Sequence, residues 1–293
     1  MFAHDASFDP KTLDVVTDRN NLRKLLRVIS QDSFEPFRID IELVGNTLLL
    51  TRWESDTEEY ITEFRGFGHE FEKAFTTPKT VARGQTSSGH HRIIQYKFGG
   101  LQMLVRFETD AHYAHLAGTP TTTTDDIDSL TSAIKSVRLE SEEPTPLLTE
   151  KSVTSPARSS DIKVILEGGD VSHNSLIEIK TRVKHRRIVM NDVAPQLFFA
   201  QVPYLIVAYH VRGVFQTVET KDVVANGTLE DFERNNVTEL KKVINMLDTI
   251  RKEIRKVRGR RGVLLCEMGS FTLYERSIVA KHALPSDLLA KWA

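Results

Sequence analysis

One cysteine, Cys266, in 293 residues excludes an internal disulfide and fits a reducing compartment. It lies in an apolar run, where a core thiol is expected. No apolar stretch approaches the roughly 18 residues that a membrane-spanning helix needs, so no membrane association is expected. The opening residues, MFAHDASFDPKTLD, carry neither a basic region nor an apolar core, so no secretory leader is expected. A nuclear and/or cytoplasmic protein follows as the expectation. Net charge is only −1, which excludes strong bulk attraction to polyanions. Also missing are Gly-x-Ser-x-Gly and Gly-x-x-x-x-Gly-Lys, which removes a nucleophile elbow and a phosphate-cradling loop. An Asp-rich box at Asp125 to Asp128 has the wrong spacing and setting for diphosphate chemistry.

What is present is local. Arg251 to Arg261 holds seven basic residues against one acid, which suits either phosphate contact or a solvated helix end. Leu22, Leu25 and Leu26 recur at helical spacing. FRIDIELVGNTLLLTRW alternates and breaks at Gly45-Asn46, a hairpin pattern. Phe64, Phe67, Phe71 and Phe75 form one helical stripe, with Gly68 expected to let that helix approach its neighbour closely. A second hairpin is expected around Gly99-Gly100. DIKVILEGG, NSLIEIKTRV and the segments flanking Gly213 read as strands. Asp231 to Val257 reads as one long amphipathic helix, and GVLLCEMGSFTLYER as strands that close the sheet. Residues 117–160 are rich in Thr, Ser, Pro and acids and are expected to form a largely disordered surface insertion with one short helix at IDSLTSAIKSV. The class is mixed α/β, a single domain over 1–293, with strands on both sides of the insertion expected to share one twisted sheet flanked by helices.

The chemistry concentrates at strand ends. Glu178-Ile179-Lys180 ends the apolar strand SLIEIK, and period two puts Glu178 and Lys180 on one face. A second Glu-x-Lys, Glu219-Thr220-Lys221, is polar all round, so burial rather than spacing distinguishes the first. Glu108 and Asp110 end another apolar strand and are expected on one face. If the two strands are neighbours, Glu108, Asp110 and Glu178 converge, and a divalent cation is the simplest way to neutralise them. All-oxygen ligands favour Mg²⁺ or Mn²⁺, as one or two ions. Lys180 then suits orienting a water or stabilising charge on a phosphate. Glu72, beside the apolar Phe71, is a further carboxylate that either joins this cluster or is solvated. His90-His91 reads as a solvated pair, and His112 and His115 follow Asp110 closely.

These motifs resemble the PD-(D/E)XK nuclease superfamily. In their order they are similar to the DXO family of decapping nucleases and 5′-end exoribonucleases. That family carries an arginine on an N-terminal helix, then Gly-x-x-aromatic-Glu, Glu-x-Asp and Glu-x-Lys. Here Arg19 precedes the first helix, GHEFE supplies Gly68, Phe71 and Glu72, FETD supplies Glu108 and Asp110, and IEIKT supplies Glu178 and Lys180. QLFFAQVPYLIVAYH resembles the family's glutamine segment and points to Gln196. The resemblance spans Arg19 to about Thr220. It departs at Thr109, where an apolar or small residue is usual, and at Ala194-Pro195, where tryptophans are common. Its gap from Asp110 to Glu178 is also long (178 − 110 = 68 positions). The resemblance implies metal ligation by Glu72, Asp110, Glu178 and the Ile179 carbonyl, with Glu108 serving a second ion. Arg19, Lys180 and Gln196 would hold the scissile phosphate and the water. It further implies the 5′ end of RNA as substrate, decapping, pyrophosphohydrolase or 5′–3′ exonuclease activity, and a 5′–3′ exoribonuclease as a partner. Two other readings stay open: a catalytically silent partner of another exoribonuclease, and a metal-dependent DNA nuclease.

Overall fold

The structure is a computed structural model that describes residues 7–55, 66–77, 89–116, 171–277 and 279–292. The expected insertion at 117–160, the DIKVILEGG strand, Phe64 and Asp56 lie outside the described residues.

The chain is mixed α/β, but its strands divide between two sheets. β1 (Val15–Asp18) runs directly into α1 (Arg19–Ile29), and β2 (Phe37–Val44) and β3 (Thr47–Arg52) form the first hairpin. After α2 (Gly68–Phe75) come β4 (His91–Phe98) and β5 (Leu101–Glu108), joined at Gly99-Gly100. Both of those glycines have positive φ (56° and 89°), which a tight strand reversal requires. The two-residue β6 (Ala111–His112) then opens the second sheet, which β7 (Leu176–Val183) continues. α3 (Met190–Ala200) is the crossover that lets β8 (Tyr204–Val211) lie parallel to β7. β9 (Val214–Asp222), α4 (Thr228–Asn235), α5 (Val237–Ile254), β10 (Arg261–Glu267), β11 (Ser270–Glu275) and α6 (Ser286–Leu289) complete the order.

The seven-stranded sheet runs β11-β10-β2-β3-β1-β5-β4, and the four-stranded sheet runs β6-β7-β8-β9. The expected single sheet is therefore corrected. The chain leaves the first sheet after Glu108, and the described strands from β6 through β9 pair in the second. The expected long helix is also two helices, because Asn236 adopts φ −119° and ψ 17° between α4 and α5. Such a residue carries no helical repeat across the junction.

The larger core lies between the seven-stranded sheet and helices α1 and α5. Leu22, Leu25 and Leu26 meet Val243, Leu247 and the strand residues Ile39, Ile41, Leu48 and Met103. A second core, with Leu176, Leu197, Leu205 and Val207, packs α3 on one face of the four-stranded sheet. A third, with Phe71, Ile177, Ile179 and Ala208, packs α2 on the other face. Alternation along β7 thus sends Glu178 and Lys180 to the α3 side and Ile179 to the α2 side. Phe199 fixes α3 in this frame. It is fully buried, meets Phe98 edge-on at 5.8 Å between ring centroids, and its carbonyl accepts from Tyr96 Oη at 3.0 Å. Phe199→Ala should cost about 3–5 kcal/mol in a denaturant titration. A loss under about 1 kcal/mol would show that α3 is not anchored there.

Candidate active site

Glu178 is the organising group. It is 1% exposed, the deepest carboxylate among the described residues. Three donors reach it from three elements. Arg19, in the first turn of α1, donates through Nη1 to Oε2 at 3.0 Å. Lys180, two residues along β7, donates through Nζ to Oε1. Gln196, on α3 and itself buried, donates through Nε2 to the same Oε1. A buried carboxylate is stable only when paired in this way. Glu219 and Lys221, the other Glu-x-Lys, form a looser 3.9 Å pair near the surface of β9.

Asp110 lies where the chain crosses between the sheets. Its Oδ2 accepts the Ile179 N–H at 2.7 Å, so it caps the edge of β7 opposite β8. Amide and carbonyl of one strand residue face the same edge, so the Ile179 carbonyl also turns away from β8. Burial, then the negative charge of Glu178, pushes the Asp110 carboxyl up to about 7. Glu72 pushes the same way, while Lys180 and the Ile179 amide oppose it. Asp110 thus feels the charge of both Glu178 and Glu72. Glu72 is the most solvated of the three, at 33% side-chain exposure, with His69 Nδ1 3.8 Å from its Oε2.

Glu108 stands apart. It ends β5 opposite His91, is exposed, and its Oε1 lies beside Gly89. It does not figure among the charges acting on Asp110. The Thr109 amide bonds to the His90 carbonyl, one residue beyond the His91–Glu108 pair, and Thr109 is buried between the exposed Glu108 and the half-buried Asp110. Gly68 is also not required for close approach. A Cβ there would meet Thr181 Oγ1 at 3.9 Å and Glu72 Oε1 at 4.0 Å, ordinary contacts.

Two neighbours were not singled out from the sequence. Phe107 places its ring 5.6 Å from the Arg19 guanidinium, a cation–π contact. Arg23 stands one turn beyond Arg19, and burial lowers its guanidinium to about 10, with Arg27 and Arg19 adding to the effect. The i, i+4 spacing from Arg19 is the signal that could have found it. The basic run from Arg251 is mostly used in local pairs. Arg251 binds Asp14, Lys252 binds Asp248 at 2.6 Å, and Lys256 binds Glu253 at 2.7 Å. Cys266 is buried in β10, as its apolar setting suggested.

Among the described residues, no three His, Cys, Asp or Glu side chains already form a metal cage. The donor set nevertheless suits a hard cation. Asp110, Glu178, Glu72 and the Ile179 carbonyl offer oxygen only, and a cation beside the buried Asp110 carboxyl would favour its ionised form.

Residues 1–292 match a family described as a domain of unknown function, DUF8563. The chain belongs to that family. No curated protein matches this DUF8563 chain in sequence. Solved structures do match it in fold. It is similar to S. pombe Rai1 in complex with 3′-FADP, with TM-score 0.56, 12% identity, and coverage of 91% of this chain and 72% of that one. Candida albicans Rai1 in complex with pU5-Mn²⁺ gives TM-score 0.52 and 15% identity over 91% and 70% of the two chains. K. lactis Dxo1 in complex with manganese gives 0.53 and 8% over 96% and 70%. The DUF8563 chain therefore has the fold of the DXO family.

The Asp110 environment gives a signed pH effect. Its folded value lies above the ordinary 3.8, so the native state holds a proton that the unfolded chain has released. Stability from this group therefore falls as pH rises from about 4 to about 7. In chelator, Asp110→Asn should raise Tm most at about pH 8 and least near about pH 4. A pH-independent change, or a loss at high pH, would contradict the assignment.

Proposed function

We propose that this protein is a divalent-metal-dependent hydrolase of phosphodiester or pyrophosphate bonds at the 5′ end of RNA. The observation that carries this reading is the buried Glu178, held at once by Arg19, Lys180 and Gln196 beside the strained Asp110. A purely structural carboxylate needs no second, half-neutralised acid next to it. The fold neighbours support the same reading, since C. albicans Rai1 was solved with pU5 and Mn²⁺ and K. lactis Dxo1 with manganese.

In this reading Asp110, Glu178, Glu72 and the Ile179 carbonyl would hold Mg²⁺ or Mn²⁺. When bound, such a cation neutralises phosphate charge and lowers the pKa of a water. The protein's own groups supply the rest. Lys180 sits two residues from Glu178 on a rigid strand and orients the attacking water. Arg19 and Gln196, whose donors now hold Glu178, would be the groups that hold the scissile phosphate. Glu108 is exposed at the end of β5, where it suits a peripheral ion or a contact to the chain rather than the central cluster. A 5′–3′ exoribonuclease partner belongs to this proposal as well.

The test is a panel of end-labelled RNA and DNA, varied at the 5′ group, with Mg²⁺ or Mn²⁺ and with EDTA. Metal-dependent cleavage of RNA from the 5′ end is expected. Cleavage of DNA alone would make it a DNA nuclease, and cleavage of neither would make it a silent binding partner. Glu178→Gln should reduce turnover by at least about a hundredfold while circular dichroism is unchanged. Full activity in that variant would end the proposal.

A further inference from the structure

Arg19, Arg23 and Arg27 recur every four residues along α1, about 6 Å apart along its axis. They grade from the buried site to solvent. The Arg19 side chain is 11% exposed against Glu178, Arg23 is half-buried, and Arg27 is exposed. Arg27 occupies the last turn, where a cation complements the helix dipole. Arg23 has no such explanation. Its Nε is buried without a hydrogen-bond partner among the described residues. Among the described residues the charges around it are mostly of its own sign, with Arg19 and Arg27 a turn away on either side and Glu178 opposing them. The neighbouring Lys24 differs, since it faces Glu54 at 3.6 Å and the ring of Phe37 at 5.5 Å. A half-buried guanidinium between two others destabilises the helix unless an anion joins it.

We propose that Arg23 binds the internucleotide phosphate that follows the one held at Arg19, so that α1 guides the strand out of the site. This rests on the phosphodiesterase reading of the site and adds a contact to it. The direction follows from exposure: the strand's reacting end must lie at the buried rung, and its remainder must leave toward solvent. Arginine suits the position because its fork can hold two oxygens of one phosphate. The rung spacing is one that successive phosphates of an extended strand can follow.

The test uses the full chain with Ca²⁺ in place of Mg²⁺ to slow cleavage. The affinities of pU, pUpU and pUpUpU are measured for the wild type and for Arg23→Met, which keeps the packing but not the charge. In the wild type, affinity should rise from pU to pUpU. In Arg23→Met, pU should bind as in the wild type and the gain at pUpU should fall roughly tenfold. The salt dependence for pUpUpU should become shallower by about 0.7 in slope, one phosphate contact. Tm should hold or rise, because a half-buried charge between two like charges has been removed. Equal weakening for pU and pUpU, no weakening at all, or a clear fall in Tm would each overturn the proposal. A wild type that binds pU yet gains nothing at pUpU would remove only the role of Arg23. One that binds none of the three would remove the functional reading beneath it too.

Discussion

A single carboxylate buried within β7 sets the terms for the rest of this molecule. Glu178 is almost wholly withdrawn from water, and an isolated charge there would be prohibitively costly. Arg19, Lys180 and Gln196 remove that cost in the structure by donating to both of its oxygens. The same three donors are those a phosphate would need. The raised Asp110 carboxyl is the complementary sign, because burial first and the charge of Glu178 second disfavour its ionised form.

The two sheets explain how groups so far apart in sequence meet. β1 is parallel to both β3 and β5, and its end becomes the first turn of α1, which carries Arg19 to the second sheet. β5 ends at Glu108, and the chain steps into the second sheet through Asp110, leaving that side chain on the edge of β7. α3, needed to connect the parallel strands β7 and β8, lies over the face to which Glu178 points and brings Gln196 down on it. The cluster is thus a consequence of the crossovers, which bring Arg19, Asp110 and Gln196 to Glu178 and Lys180 within β7.

Much of this was legible in the sequence because its signals are local. The hairpins at Gly45 and Gly99-Gly100, the α1 stripe and the pairing of Glu178 with Lys180 follow from periods of two and 3.6 and from turn residues. Whether strands share a sheet is decided by long-range pairing, which periodicity does not encode, so one sheet was expected where there are two. Asn236 interrupted a helix that its apolar spacing alone would have carried through. Arg23 was overlooked because a charged residue on a helix reads as solvated until its surroundings are known.

The most direct measurement is anomalous diffraction from crystals grown with Mn²⁺. The account predicts a peak bounded by oxygens of Asp110 and Glu178, with the Arg19 guanidinium no longer seated on Glu178. Mn²⁺ bound elsewhere, or Glu178 still gripped by Arg19, Lys180 and Gln196 with metal present in excess, would contradict it.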